Sequence, residues 1–151
     1  MTSSKQRVAA DWSHWNFMAW TARGLPKGVQ ERFPGDQESF DIRFLEDLLV
    51  RLGDDNELLA QLGYLYTRVG RYRDGLAVDR RLVALRPRDP FAYYNLACSH
   101  SRLKQYGRAF TAIRKAIELG YRDLEHMQAD PDLENLRKDP RWNDLLAVMK
   151  S

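Results

Sequence analysis

The chain has 151 residues, a formal net charge of +3 and a sequence pI near 9.1. With 44% hydrophobic residues, 30% charged residues and a mean hydropathy of −0.59, the composition is typical of one globular domain with a modest core. The first residues form no apolar stretch and no segment reaches membrane-spanning length, so we expect neither an export signal nor membrane insertion. The single cysteine, Cys98, excludes an intrachain disulfide and fits a reducing compartment, and we predict a cytoplasmic location.

Charge is distributed unevenly along the chain. Residues 36–57 carry a net charge of −6, residues 68–122 a net charge of +9 and residues 123–134 a net charge of −5. This acidic, basic, acidic order is more informative than the small total, because blocks of one sign attract partners of the other.

The N-terminal arm, residues 1–38, is rich in aromatic side chains. Trp12, Trp15 and Trp20 lie within nine residues of one another and follow a helical spacing. We expect a helix whose aromatic side chains cover one end of the fold. The alternatives are a helix that docks onto another chain and a segment that folds over the protein's own binding surface.

Residues 39–55 predict a single helix without a helical partner before it. Its apolar positions resemble those of helices further along the chain, and the preceding segment is interrupted by prolines and glycines such as Pro26 and Gly28. We therefore interpret 39–55 as half of a repeated unit.

Two consecutive 34-residue units, 56–89 and 90–123, align without a gap. Leu62 then lies over Leu96 and Tyr72 over Tyr106. In each unit, apolar residues at helical spacing predict two helices joined by a short turn. Asp89 followed by Pro90 is a helix-start signal, with aspartate as N-cap and proline in the first turn.

The spacing of large and small apolar residues in these units resembles the tetratricopeptide repeat family. The first unit supplies Leu59, Leu62, Gly63, Tyr66, Gly75, Leu82 and Pro87, and the second supplies Tyr93, Leu96, Ala97, Ala109, Ile113 and Ala116. The sequence departs from the family pattern at Asp79, which takes a usually apolar position, at His100, which replaces a tyrosine, and at Tyr121, which replaces the closing proline. The resemblance implies an all-α fold, an α-α superhelix in which helical hairpins stack as a right-handed solenoid.

Residues 124–151 resemble the capping helices that often end such arrays. Asp130-Pro131 and Asp139-Pro140 are further helix-start signals, and the last helix offers Trp142 among its apolar residues. A stack of repeats needs such an end, because a terminal repeat cannot bury both of its apolar faces.

The resemblance also implies a binding groove, lined by the first helix of each repeat. We expect Asn95 to hold the backbone of a bound peptide, Arg68 and Arg102 to meet acidic groups, and the aromatic residues to make apolar contacts. The predicted peptide- or protein-binding residues are Tyr64, Arg68, Phe91, Tyr94, Asn95, Cys98 and Arg102. Family members that clamp a terminal carboxylate use a fuller set of Lys, Asn and Arg, whereas Ala60, Tyr64 and Cys98 stand at several of those positions here.

The alternative for these side chains is structural. Arg68 and Arg102 are then solvated helix ends, and Tyr64 and Tyr94 fill contacts between repeats. In either case we expect the whole module to bind an acidic protein or peptide as an adaptor, scaffold or co-chaperone.

The sequence offers no pattern of catalytic or metal-binding residues. Cys98 and His100 project from different faces of a helix, and no base activates the thiol. Phosphate-binding loops, serine-hydrolase signatures and spaced carboxylate pairs are missing from the sequence. We therefore predict a protein that is not an enzyme and that needs no cofactor and no metal.

Two alternatives of another class stay open. The basic stretch 68–122, together with Tyr64, Tyr72, Tyr94 and Tyr106, has the ingredients of a nucleic-acid surface with stacking groups. Most of its arginines, however, fall on second helices or turns, where a solvated outer face is the usual explanation. The other alternative is a self-assembling scaffold, a homo-oligomer in which acidic flanks meet the basic middle of a neighbouring copy.

Overall fold

The computed structural model of the protein describes residues 37–151, and the aromatic arm with Trp12, Trp15 and Trp20 lies outside the described residues. Within 37–151 the chain is helical and forms no strand. The helices are α1 Gln37–Leu52, α2 Asn56–Arg68, α3 Tyr72–Leu85, α4 Pro90–Arg102, α5 Tyr106–Glu118, α6 Leu124–Ala129, α7 Glu134–Arg137 and α8 Arg141–Lys150, with a short 3-10 helix at Pro131–Leu133. The predicted all-α class, with consecutive helices packed in pairs, is confirmed.

The described residues divide between two compact units, with the boundary between Phe44 and Leu45. The described part of the first unit is the beginning of α1. There the rings of Phe40 and Phe44 stack with centroids 6.3 Å apart, and Gln37 donates a hydrogen bond to Asp41 at 2.7 Å. The second unit contains the end of α1 and all helices from α2 to α8.

In the second unit, helices begin at the 34-residue interval that the sequence predicts. Helix α2 begins at Asn56 and α4 at Pro90, while α3 begins at Tyr72 and α5 at Tyr106. The predicted cap at Asp89 is confirmed, because its side chain accepts a hydrogen bond from the Phe91 amide at 2.9 Å.

The first helix of each pair is followed by a turn residue whose backbone has a positive φ, in the left-handed region. Gly70 has φ 77° after α2, and Lys104 has φ 59° at the matching position after α4. Glycine adopts this conformation without steric cost, whereas lysine is strained there because its Cβ crowds the backbone. The same turn is thus built twice, once from a favourable residue and once from an unfavourable one.

The largest group of buried side chains joins the second repeat to the C-terminal helices. Ala97 of α4 and Ile113 of α5 are fully buried in one cluster with Met127, Leu133 and Leu136. Burying a large aliphatic side chain contributes about 1.5–3 kcal/mol. The C-terminal segment is therefore an integral part of the core.

Candidate binding surface on helices α2 and α4

One side of α4 is covered by the chain's own C-terminal segment. The side chain of Tyr94 is only 5% exposed, and its hydroxyl donates to Oδ2 of Asp130 at 2.7 Å. Its ring stacks on that of Tyr121, with centroids 4.5 Å apart and planes within 10°. Cys98, one turn further along α4, places its Sγ 3.7 Å from the same Asp130 oxygen. Tyr94 and Cys98 therefore face this segment.

Arg102, at the end of α4, links three parts of the second unit. Its guanidinium lies 4.6 Å from the ring centroid of Tyr72 and donates to the Tyr72 hydroxyl. On its other side, Nε lies 3.6 Å from Oδ1 of Asp132, in the C-terminal segment. Because the Arg102 side chain is 37% exposed, its ion pair with Asp132 is partly screened by water.

Burial controls the protonation of this cluster. Burial raises the pKa of the Cys98 thiol well above its usual range, and the nearby carboxylates of Asp130 and Asp132 raise it further. The pKa of Asp132 is also raised, first by burial and then by Asp130, while Arg102 opposes the shift. At neutral pH the Cys98 sulfur is therefore a protonated thiol, which is a poor nucleophile.

The ligand atoms of Cys98, Asp130 and Asp132 lie within 4.8 Å of one another, a grouping that the sequence does not predict. Each already has a protein partner, since Asp130 accepts from Tyr94 and Asp132 pairs with Arg102. These contacts make the cluster a junction between α4 and the C-terminal segment.

A second group of predicted site residues is open to solvent. Tyr64 is 46% exposed on α2 and Phe91 is 43% exposed on α4, and Arg68 and Asn95 are also exposed. The Arg68 guanidinium lies 5.8 Å from the centroid of the Tyr64 ring, within the range of a cation–π contact. We call these four residues, Tyr64, Arg68, Phe91 and Asn95, the α2–α4 surface.

The seven predicted residues therefore differ in their surroundings. The four residues of the α2–α4 surface are exposed, and one of them, Phe91, also packs edge-on against the Tyr121 ring with centroids 5.7 Å apart. Tyr94 and Cys98 contact the C-terminal segment, and Arg102 is shared between solvent and that segment. The physical reason is the turn at Asp130-Pro131, where α6 ends after six residues and the chain packs against α4. The sequence signals a helix start at this dipeptide but not the contact with Tyr94.

A further buried polar residue, Asp79, lies in α3 and is 4% exposed. The sequence shows it only as a departure from an apolar position. Its Oδ2 accepts a hydrogen bond from the Ser99 hydroxyl at 2.5 Å, so it joins α3 to α4 at the residue that follows Cys98.

No helix among residues 37–151 is both long enough and apolar enough to cross a bilayer.

Comparison with known proteins agrees with this architecture. The family model for the tetratricopeptide repeat matches residues 92–119, which include most of α4 and α5. The chain is also similar to a chloroplastic protein of Arabidopsis thaliana, with 32% identity over 87 residues. That alignment covers 56% of this chain and 26% of the relative, so the chain spans about a quarter of the length of the protein it matches. Residues 92–119 thus match the tetratricopeptide repeat, and it is through this segment that the chain is similar to that family.

Proposed function

We propose that the protein is a non-enzymatic interaction module that binds an acidic peptide or protein segment on the α2–α4 surface. The observation that carries the proposal is the exposure of two large aromatic side chains, Tyr64 and Phe91, on the first helices of consecutive repeat units. Aromatic side chains that are exposed at a protein surface supply most of the apolar contact area at many interfaces. The match of residues 92–119 to the tetratricopeptide repeat supports a protein partner in general. We infer that the ligand is acidic from the positions of Arg68 and Arg102.

Each residue of the surface has a distinct role in this proposal. Tyr64 and Phe91 supply apolar contacts, and the amide of Asn95 both donates to and accepts from a ligand backbone. Arg68 and the solvent-exposed side of Arg102 meet carboxylates of the ligand. Tyr94 and Cys98 contribute indirectly, because they hold the C-terminal segment against α4.

The C-terminal segment limits the length of ligand that fits. It covers the face of α4 that carries Tyr94 and Cys98, so only the exposed face of that helix, which carries Asn95, is available to a partner. We infer that a few ligand residues are held, which suits an adaptor, scaffold or co-chaperone that recognises a short segment. A cytoplasmic location stays a prediction, since the Arabidopsis relative is described as chloroplastic.

Quantitative affinity capture from native lysate tests the proposal. The bait proteins are the wild type, a variant with Tyr64→Ser and Asn95→Ala, and a control with Thr111→Ala and Arg114→Ala on the exposed side of α5. We expect at least one protein to be captured equally by the wild type and the control and at least tenfold less by the surface variant. Circular dichroism establishes that all three baits are folded.

A second step separates direct recognition from indirect capture. Overlapping peptides of the captured protein are titrated against the three baits, and we expect one acidic peptide to reproduce the order of affinities. Retention of the wild type on single-stranded nucleic acid, with no peptide bound, favours the nucleic-acid alternative. Oligomer size that changes sharply with salt favours self-assembly.

A further inference from the structure

The carboxyl group of Asp79 lies where three helices meet, between the two repeat units. It belongs to α3 of the first unit, and its Oδ2 accepts from the Ser99 hydroxyl of α4, in the second. Its Oδ1 faces α2, at 3.1 Å from the position that a Cβ on Gly63 would take. With 4% of the residue exposed, the carboxyl has almost no contact with water.

No cation among residues 37–151 forms an ion pair with Asp79. From α2 it faces Gly63, and the neighbouring Tyr66 hydroxyl is already engaged by donating to Glu46. From α4 it faces Ser99, which lies between Cys98 and His100. The pKa of the Cys98 thiol is raised mainly by burial and by Asp130 and Asp132, and in part by Asp79. The pKa of His100 is lowered mainly by burial, with Arg80, the exposed neighbour of Asp79 in α3, lowering it further.

The charge state of Asp79 therefore depends mainly on its burial. Desolvation raises the pKa of Asp79 to about 7, and the hydrogen bond from Ser99 offsets only part of this shift. The same group has a pKa of 3.8 when exposed. Because the folded pKa is the higher one, the folded protein holds the proton more strongly between these values. Stability then falls as the pH rises from about 4 to about 7, and is constant above that range.

We propose that Asp79 is a proton-dependent joint between the two repeat units. The protonated carboxyl is accommodated between α2, α3 and α4 at little cost. The ionised carboxylate accepts a stronger hydrogen bond from Ser99, but this bond offsets only part of the cost of burying its charge, so ionisation destabilises the packing of α3 against its neighbours. The carboxyl faces Gly63 of α2 and accepts from Ser99 of α4, so the joint contacts both helices that carry the α2–α4 surface. The effect on partner binding rests on the proposed function, whereas the effect on stability does not.

The titration of Asp79 is the first test. Carboxyl carbon NMR of the wild-type protein is expected to show one aspartate titrating near pH 7, and Asp79→Asn is expected to remove that signal. Ser99→Ala removes a hydrogen bond that lowers the pKa, so the same signal is expected at higher pH. A buried carboxyl that titrates near pH 4 in the wild type overturns the proposal, whether or not the variants fold.

Urea unfolding at pH 5 and pH 8 is the second test. The equilibrium constant for folding of the wild type, relative to Asp79→Asn, is expected to fall by roughly fifty- to a hundredfold between these values. Asp144→Asn is the matched control, because it removes an exposed acid from α8 and is expected to keep the wild-type pH dependence. A pH dependence that is equal in wild type and Asp79→Asn contradicts the joint.

The outcomes distinguish this proposal from the proposed function. If Asp79 titrates near pH 7 and no partner binds at any pH, the joint stands and the proposed function fails. If a partner binds the α2–α4 surface but Asp79 titrates near pH 4, the proposed function stands and the joint fails. If Asp79 titrates near pH 7 and a partner binds the α2–α4 surface, both proposals stand. We then expect the partner's affinity to fall as the pH rises from 6 to 8 in the wild type and to stay constant in Asp79→Asn.

Discussion

The hydroxyl of Tyr94 donates a hydrogen bond to Oδ2 of Asp130 at 2.7 Å, and this bond joins α4 to the residue at which the C-terminal segment turns. Both residues are buried, so water does not replace the bond when it is lost. Tyr94→Phe keeps the ring and its stacking on Tyr121 but leaves a buried carboxylate with one donor fewer. We expect a loss of about 1–3 kcal/mol in the free energy of unfolding, measured with urea.

Tyr64→Phe is the control for this change. Tyr64 is half-exposed, and the same loss of a hydroxyl there is expected to alter the free energy of unfolding by less than about 0.5 kcal/mol. Equal effects of the two substitutions are incompatible with a structural role for the Tyr94–Asp130 bond.

The positive φ of Lys104 leads to a second prediction, about the stability of the turn after α4. Lys104→Gly relieves the left-handed strain but adds freedom to the unfolded chain, and we expect a net gain of up to about 1 kcal/mol in stability. At the matching turn, Gly70→Ala introduces the same strain, although nothing lies within 4 Å of an added Cβ. It is expected to destabilise by about 1 kcal/mol. Thermal unfolding measures both variants, and we expect the melting temperature to rise in Lys104→Gly and to fall in Gly70→Ala.

Gly63→Ala tests the close approach of α2 and α3. An added Cβ would lie 3.1 Å from Oδ1 of Asp79 and 3.6 Å from Val78 Cγ1. The hydrogen bond from Ser99 holds the Asp79 carboxyl in place, so it cannot move far from the added Cβ. The crowding is therefore expected to cancel the gain in stability of about 1 kcal/mol that alanine brings over glycine in a helix interior.

Gly107→Ala is the matched control for this prediction, because nothing lies within 4 Å of its added Cβ in α5. It is expected to stabilise by a few tenths to about 1 kcal/mol in urea unfolding. A gain at Gly63 as large as the gain at Gly107 contradicts the tight contact with Asp79.

The raised pKa of Cys98 predicts slow thiol chemistry. Burial and the carboxylates of Asp130 and Asp132 keep the sulfur protonated, so alkylation by iodoacetamide at pH 8 is expected to be far slower in the folded protein than in urea. Asp130→Asn removes one of the charges that raise the pKa and is expected to accelerate the reaction. Folded protein that is alkylated as fast as unfolded protein contradicts the contact between Cys98 and Asp130.

The repeat made the helices of the second unit predictable from sequence. Two 34-residue units with apolar residues at equivalent positions indicate where α2 to α5 begin, because each position in a repeated hairpin has the same packing environment. The caps follow from local chemistry alone, as Asp89 and Pro90 show.

The contacts of α4 with the C-terminal segment were not predictable in the same way. They depend on how a non-repeated segment folds back after Pro131, and periodicity carries no information about that turn. Tyr94 was predicted to make an open apolar contact for a ligand, and the structure instead buries it beside Asp130 and Tyr121. The sequence marks Asp79 as unusual at its position, but its hydrogen bond with Ser99 requires coordinates.

The central claim is that a short acidic segment binds the α2–α4 surface, and backbone amide chemical shifts measure this most directly. An acidic peptide, selected by display on the wild-type protein, is titrated into the isotope-labelled protein. The largest shift changes are predicted at Tyr64, Arg68, Phe91 and Asn95, with small changes on the exposed side of α5 at Thr111 and Arg114. Shift changes that cluster on α5 instead, or a selection that enriches no acidic peptide, contradict the claim.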